Sequence, residues 1–309
     1  MTPKGASPLQ PRYNRPMETE GRIPFRGHET WYRSVGPDDG DAVPLLCLHG
    51  GPGANWWHVK PYEVLADERQ VVFYDQLGSG NSSVDEPHDP SMWTPELYVE
   101  EVGVVRDALG LDRVHVLGHS WGGMLGMQYA ATQPDGLVSL VVESSPPSVP
   151  AWMPEVARLR SELPAEVEEA LRRHEAAGTT DDPEYQAAEL EFYKRHLCRV
   201  EWPDWLAECF EVMNANPEVY HHMNGPSEFH VIGTIKDWDV APQLGRIQVP
   251  TLLFCGRYDE VTPATVEPAH HAIPGSEFVV MEESSHMSQA EEPEKTFELV
   301  RGFIARAER

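Results

Sequence analysis

Short apolar runs that end in glycine or polar residues recur in the first half and the last quarter of the chain. They occupy residues 45–48, 114–117, 138–142, 250–256 and 277–281, and a further strand-like segment covers 28–35. Runs of this length and composition predict strands. Residues 123–131 and 293–307 have helical character, so strands and helices alternate. This pattern predicts the α/β class, with a mostly parallel sheet and flanking helices.

A different pattern fills the middle of the chain. Clustered prolines at 146–150 stop regular structure, and residues 151–238 are rich in Glu, Arg, Ala and aromatic residues with helical spacing at 156–159 and 187–192. We therefore predict an irregular N-terminal tail over 1–26, a core built from 27–145 and 239–309, and a helical cap over 146–238. The aromatic residues of the cap are expected in its own core; they are Phe192, Tyr193, Trp202, Trp205 and Phe210.

Composition and charge restrict the partners, location and cofactors that the chain is expected to have. The chain has 309 residues, enough for one large α/β domain with an insertion, and a formal net charge of −26. Without a basic footprint, nucleic acid is not an expected partner. No apolar run approaches membrane-spanning length, and the first 26 residues lack the apolar core of a signal peptide, so we expect a cytoplasmic protein without a membrane partner. The four cysteines show no metal or redox spacing, so no metal or other cofactor is predicted. Oligomeric state is left open.

The segment after the strand at 114–117 carries the most specific chemistry. Residues 118–122 read Gly-His-Ser-Trp-Gly and lie between a strand and a helix. This context is typical of a nucleophile elbow, in which a sharp turn projects a serine hydroxyl above the sheet. The helix N-terminus that follows favours negative charge near the serine. Ser120 is therefore the predicted nucleophile.

A nucleophilic serine needs a base and a group that orients the base. Asp259 follows the strand at 250–256, and His286 lies in the polar loop after 277–281. The chain order serine, acid, histidine is the order found in hydrolases with this elbow. Because ligands bind beyond the carboxyl ends of the strands in open α/β sheets, the three side chains are expected to converge there.

Two backbone N–H groups should stabilise the oxyanion. The residue after the nucleophile, Trp121, supplies one, and the glycine-rich loop at 49–53 after an early strand supplies the other. We predict Gly51 as the second donor, with Gly50 as the next choice. Trp56 and Trp57 follow this loop, and they either form a wall of the acyl pocket or pack beneath the cap. Glu143 follows the strand at 138–142 and could face the same crevice.

These segments together resemble the proline iminopeptidase family of α/β-hydrolases, which includes the tricorn-associated aminopeptidase. The similarity rests on His-Gly-Gly-Pro-Gly at 49–53, Asp-Gln-Leu-Gly-Ser-Gly-Asn-Ser at 75–82 and the segment at 118–123, and it extends from about Gly21 almost to the C-terminus. The resemblance implies the α/β-hydrolase fold. It also implies that Glu228, in 223–229, and Glu260, in 256–263, bind the substrate's α-ammonium. Asp75 and Gln76 are expected to hold the loop beside the oxyanion turn.

Three functions are compatible with the sequence. The first is a serine exopeptidase that releases an N-terminal proline, or another small or apolar residue, from short peptides or amides through an acyl-enzyme. The second is a related amidase, esterase or acyl-transfer enzyme that acts on a small metabolite with the same machinery. The third, a non-catalytic binding protein of the same fold, is disfavoured by the complete set of Ser120, Asp259 and His286.

Overall fold

An eight-stranded sheet forms the centre of the computed structural model, which describes residues 17–37, 42–84 and 88–309. The strand order is β1-β2-β4-β3-β5-β6-β7-β8. β2 is antiparallel to both β1 and β4, and all other neighbours are parallel. The strands are β1 (Glu18–Phe25), β2 (His28–Val35), β3 (Leu45–Leu48), β4 (Val71–Tyr74), β5 (Val114–His119), β6 (Leu137–Glu143), β7 (Thr251–Gly256) and β8 (Glu277–Met281). The predicted mostly parallel α/β sheet is confirmed.

The prediction of an irregular tail up to residue 26 is wrong for its last part. Residues 18–25 form β1, a hairpin partner of β2 with Glu18 opposite Val35 and Phe25 opposite His28. Its polar composition, with Gly21 and Pro24, hides the strand in the sequence, because an edge strand tolerates proline and needs only one apolar face. Residues 1–16 lie outside the described residues.

Helices cover both faces of the sheet. On one face lie α1 (Pro95–Ala108), α2 (Trp121–Ala131) and α8 (Pro263–Ala272). The other face is covered by a 3₁₀ segment, Trp56–Asp67, and by α10 (Pro293–Ala307). Strands β3 to β7 are buried along almost their whole length, which explains why they read as continuous apolar runs.

Five helices lie between β6 and β7, where the sequence predicts a cap. They are α3 (Val149–Arg160), α4 (Ala165–Ala177), α5 (Pro183–His196), α6 (Asp204–Ala215) and α7 (Glu218–Met223). A short helix α9 (Ser288–Glu291) follows β8, and 3₁₀ turns cover Gly80–Ser82, Pro90–Met92, Thr234–Asp237 and Ala241–Arg246. Within the described ranges, no helix has the length and apolar character needed to cross a bilayer.

Register brings the carboxyl ends of four neighbouring strands to one edge. His119 at the end of β5 pairs with Glu143 of β6, and Glu143 pairs with Phe254 of β7. Gly256 at the end of β7 pairs with Met281 of β8. The loops that follow β5, β7 and β8 therefore start side by side beneath the cap.

Candidate active site

The turn that carries Ser120 is tight and conformationally strained. Ser120 has φ 57° and ψ −126°, a region that non-glycine residues avoid. Its N–H donates to the Glu143 carbonyl at 3.0 Å. A Cβ at Gly118 would lie 2.0 Å from the Gly122 oxygen, and a Cβ at Gly122 would lie 2.0 Å from the Leu48 oxygen. Both glycines are therefore required by the close approach of strand and helix.

His286 lies in the loop after β8 and is oriented by Asp259 from the loop after β7. Its Nδ1 is 2.8 Å from Asp259 Oδ1, which also accepts the Val261 N–H at 2.8 Å. Both side chains are almost completely buried. Burial opposes the charged imidazole, but Asp259, Glu260 and Glu228 outweigh it and raise the pKa of His286 to about 9. The structure thus brings Asp259 and His286 into direct contact beyond the ends of β7 and β8.

The glycine-rich loop after β3 lies beside Ser120. The Gly50 N–H donates to His58 Nδ1 at 2.8 Å, so it is already engaged. Gly51, the other predicted donor, lines the same cavity as Ser120, and its role as an oxyanion donor stays a prediction. Trp121 is the first residue of α2, where a helix leaves its N–H groups without intrahelical partners.

The loop after β4 anchors both halves of this region. Gln76 Nε2 donates to the His49 carbonyl at 2.9 Å, and its Oε1 accepts the Trp121 indole N–H at 2.8 Å. Asp75 accepts the backbone N–H groups of Trp56 and Asn81. Asp75 and Gln76 therefore hold the glycine-rich loop and α2 together, as expected.

Two glutamates from different parts of the chain face the same space. Glu260 is 1 % exposed, neither of its carboxylate oxygens has a hydrogen-bond partner, and Oε1 lies 3.9 Å from His286 Nε2. Glu228 reaches down from the cap and accepts the Tyr220 hydroxyl at 2.6 Å. Burial raises the pKa of both carboxyls, and for Glu260 the nearby Glu228 and Asp259 charges raise it further.

One cavity joins these groups. Ser120, His286, Glu228 and Gly51 line it, and its remaining lining residues were not predicted as site residues; they are Ala54, His58, Leu197, Cys209, Phe210, Met213 and Met287. Phe210 was expected in the cap core but contributes to this wall. Its helical spacing could not distinguish a residue that faces the cap interior from one that faces the cavity.

The end of α5 fixes the catalytic loops through the main chain. The His196 carbonyl accepts the N–H groups of both Glu260 and His286 at 3.2 Å, and the Leu197 carbonyl accepts the Met287 N–H at 3.0 Å. From α3, the Trp152 indole donates to the Glu260 carbonyl at 2.8 Å. Backbone carbonyls leave no signature in a sequence, so residue types alone could not have revealed this contact.

Glu143 does not line the cavity but lies beneath it. Its carboxylate accepts hydroxyl groups from Tyr62, in the 3₁₀ segment after the glycine-rich loop, and from Ser288, two residues after His286, each at 2.5 Å. Burial raises the pKa of Glu143 to about 7, and the two hydroxyl groups oppose this shift. Glu143 therefore connects the β6 end to two neighbouring segments of the site.

The two tryptophans after the glycine-rich loop pack rather than line the cavity. Trp56 is buried against Trp31 and Phe73 in the core. Trp57 is partly buried and packs against both this core and the cap cluster that contains Cys209 and Tyr220. Of the two alternatives left open by the sequence, the structure favours packing beneath the cap.

One group among the described residues has metal-ligand spacing. It consists of His174, Asp182 and Glu184 in α4 and the start of α5. Arg173 forms an ion pair with Glu184 at 2.6 Å, which supplies a cation there already. None of these residues lines the cavity that contains Ser120.

Comparison with known proteins now assigns the chain to a family. Residues 43–293 match the family model described as alpha/beta hydrolase fold. A proline iminopeptidase from Heyndrickxia coagulans is 40 % identical over 289 residues, which cover 93 % of this chain and 99 % of the relative. Another from Saccharolobus solfataricus is 42 % identical over 263 residues, 84 % of each chain.

Solved structures agree. The crystal structure of a proline iminopeptidase from Mycobacterium smegmatis superposes with a TM-score of 0.87 at 44 % identity and covers 94 % of this chain and 98 % of its own. The crystal structure of VinJ superposes with a TM-score of 0.91 at 42 % identity, over 94 % and 99 % of the two chains. This chain is therefore a hydrolase that belongs to the proline iminopeptidase family of α/β-hydrolases.

Proposed function

We propose that this protein is a serine exopeptidase that releases an N-terminal proline, or another small or apolar residue, from short peptides and amides. The observation that carries the proposal is one cavity lined by a strained serine, an aspartate-oriented histidine and the buried Glu228, with the buried Glu260 3.9 Å from the same histidine. The first three groups suit acyl transfer, and the carboxylates suit a free α-ammonium next to the scissile carbonyl.

Acylation would begin at Ser120. His286 Nε2 takes the hydroxyl proton while Ser120 Oγ attacks the substrate carbonyl, and Asp259 stabilises the imidazolium and keeps its orientation. The positive φ of Ser120 lifts the hydroxyl out of the plane of the sheet toward the cavity. Because the backbone is already strained by its neighbours, little reorganisation is needed when the substrate arrives.

The backbone N–H groups of Gly51 and Trp121 would hold the negative charge that develops on the carbonyl oxygen. Removing one donor of this kind typically costs about 2.7–4 kcal/mol of transition-state stabilisation. The anchoring of both segments by Gln76 fixes the two donors relative to each other. His286 then donates its proton to the leaving amine, and water attacks the acyl-enzyme in the reverse sequence.

Amine recognition would set the exopeptidase character. Glu228 lines the cavity and Glu260 is buried 3.9 Å from His286, and no lysine or arginine among the described residues lines the cavity. A substrate's α-ammonium would supply the missing partner through charge-assisted hydrogen bonds. An internal peptide bond has no ammonium at this position and would leave the carboxylates unpaired.

The cavity walls favour an apolar first residue. Leu197, Cys209, Phe210, Met213 and Met287 surround the space near Ser120. The cap helices close over it, so we expect short peptides to enter and folded proteins to be excluded. The substrate is thus a short peptide or a small amide. The four cysteines are buried free thiols, which fits the reducing cytoplasm that we propose as its location.

Peptide cleavage followed by mass spectrometry tests this function. Short peptides that begin with proline should lose their first residue only, and N-acetylated copies should remain intact. Internal cleavage, or cleavage of an intact folded protein, would contradict the proposal. Hydrolysis of simple esters and N-blocked amides with no release from free peptides would instead support an amidase or esterase that acts on a small metabolite.

A further inference from the structure

One of the two proposed amine-binding carboxylates, Glu260, lies close to the proposed catalytic base. Glu260 Oε1 is 3.9 Å from His286 Nε2, the atom that must accept the Ser120 proton. Both oxygens of Glu260 are buried and without a hydrogen-bond partner. The residue is also held in place, because its N–H and carbonyl are bonded to His196 and Trp152. A negative charge here therefore acts directly on the imidazole.

The other groups around His286 determine its charge. Asp259 contacts Nδ1, and Glu228 faces the same cavity from the cap. The ring of His119 packs edge-on against His286 at 4.7 Å between centroids, and His58 packs against His119 at 4.5 Å.

The two packed histidines do not balance the acids. Burial lowers the pKa of both His58 and His119 well below the usual value, so they remain neutral at pH 7. Beneath the site, Glu143 adds a further acid. No described lysine or arginine lines the cavity, and the carboxylates of Asp259, Glu260 and Glu228 all act on the same imidazole.

We infer that Glu260, Glu228 and His286 together hold a proton in the free enzyme, and that the substrate's α-ammonium replaces it, which frees the base only when a free amine is bound. The inference rests on the proposed function, because it concerns the same site. It adds to that function a coupling between recognition and chemistry: the group that binds the amine also controls whether His286 can act.

The proton balance is simple. The free enzyme carries one proton more than the complex, shared among the three groups as a macroscopic titration. Binding of the ammonium places a positive charge against Glu260 and Glu228, and one proton leaves to solvent. His286 Nε2 then has a free lone pair, which takes the Ser120 proton during attack. Apart from these proton transfers, no covalent bond forms or breaks before acylation.

The electrostatics support this order of events. Despite burial, the surrounding carboxylates raise the pKa of His286 to about 9, so at pH 7 the free imidazole is mostly protonated. An ammonium that neutralises these carboxylates lowers that pKa toward the operating range of a general base. Each unit of decrease raises the neutral fraction at pH 7 about tenfold.

Glu260→Gln separates this inference from simple amine binding, because the two substrate classes should respond with opposite signs. With a free prolyl arylamide, kcat/KM should fall, since one amine ligand is lost. With an uncharged N-acetyl ester, the rate at pH 7 should rise about tenfold, because the glutamine no longer holds the proton on His286. The acid limb of the ester's pH profile should move to lower pH.

Two further variants serve as a second test and as a control. Glu228 lies in the cap, away from Asp259. Glu228→Gln should change the arylamide and ester rates in the same directions as Glu260→Gln does, but by a smaller amount. Glu101→Gln replaces another fully buried carboxyl group, in α1 and bonded to Thr30 and the Leu77 N–H, and should leave the acid limb in place. If Glu260→Gln and Glu228→Gln lower the ester rate as they lower the arylamide rate, the inference is overturned.

Calorimetry measures the proton itself. Ser120→Ala protein should bind L-prolinamide at pH 7 and release about one proton, read from the difference in binding enthalpy between phosphate and Tris buffers. The uncharged N-acetyl-prolinamide should cause no release. Binding of prolinamide without proton release would overturn the inference and leave the proposed function standing. No binding of prolinamide, with full turnover by Ser120→Ala, would overturn both.

Discussion

The sheet edge and the cap contribute to the same cavity in different ways. At the sheet edge, Asp259 and Ser120 are positioned by short loops that leave buried parallel strands, and Asp259 Oδ1 and the Ser120 N–H each have a defined partner. In the cap, Glu228 is carried by the irregular segment after α7 and is held by one tyrosine hydroxyl. The proposed reaction machinery thus belongs to the core, whereas part of the proposed substrate recognition comes from the insertion.

The two regions are nevertheless joined at specific points. The α5 end holds the loops of Glu260 and His286 through backbone hydrogen bonds. On the opposite side, Asn55 after the glycine-rich loop donates to the Cys209 carbonyl of α6 at 3.0 Å. The cap therefore supports the catalytic loops as well as covering them. Substitutions in the core should abolish turnover, while those in the cap should change which substrates react.

Replacing the nucleophile should have the largest effect. Ser120→Ala removes the attacking atom, so turnover should fall by at least about three orders of magnitude for amides and esters alike. Steady-state kinetics and labelling with a fluorophosphonate probe measure this. Ser161→Ala, an exposed serine in the cap, is the control and should keep full activity. Substantial activity in Ser120→Ala would show that Ser120 of the core is not the nucleophile.

The cap glutamate should have a large but selective effect. Glu228→Gln leaves a substrate ammonium without one partner, a loss of about 2–5 kcal/mol, or roughly 30-fold to a few thousandfold in kcat/KM. Kinetics with free prolyl arylamides measure this loss. Tyr220→Phe removes only the hydroxyl that supports Glu228 and should cost about 1 kcal/mol. If Glu228→Gln slowed the labelling of Ser120 by the fluorophosphonate probe as much as it lowered kcat/KM, Glu228 would act on the catalytic core and not on the amine.

Replacing Glu143 should have a smaller effect on turnover, because this residue connects the end of β6 to two neighbouring segments of the site. Glu143→Gln keeps the volume but weakens the links to Tyr62 and Ser288, so we expect kcat to fall about tenfold with little change in KM. Ser288→Ala and Tyr62→Phe each remove one link and should each lower kcat less. A wild-type kcat in Glu143→Gln would show that the network serves stability alone.

The indole contact between cap and core should have the smallest effect. Trp152→Phe removes the hydrogen bond to the Glu260 carbonyl and should lower the free energy of unfolding by about 1 kcal/mol. Urea denaturation measures this change, with Trp205→Phe, a partly buried cap tryptophan, as the control. A larger loss in the control would mean that cap packing, not this contact, carries the stability.

The core could be read from the sequence because each of its signals is local. The glycines around Ser120 are dictated by contacts below 3 Å, and the strands are apolar because both faces are covered. Asp259 and His286 were predicted from the chain order of serine, acid and histidine and from their positions just after strand ends. Edge strand β1 escaped prediction because its stability comes from pairing with β2, which its own residues do not encode.

The cap could be predicted as helical but not in detail. Glu228 was identified only through resemblance, since a glutamate in a loop is usually exposed. Phe210 and Met213 reached the cavity because of how the helices pack, and the His196 carbonyl supports the catalytic loops whatever its side chain is. Tertiary packing decides these contacts, and the pattern of residue types does not record them.

The central claim is that a free α-amine is recognised at the site where Ser120 is acylated. The most direct measurement compares kcat/KM for a prolyl arylamide and its N-acetyl analogue in the wild-type enzyme and in Glu228→Gln. The wild-type enzyme should prefer the free amine by at least about 30-fold, and this preference should be much smaller in the variant. Equal rates for the two substrates in the wild-type enzyme would contradict it.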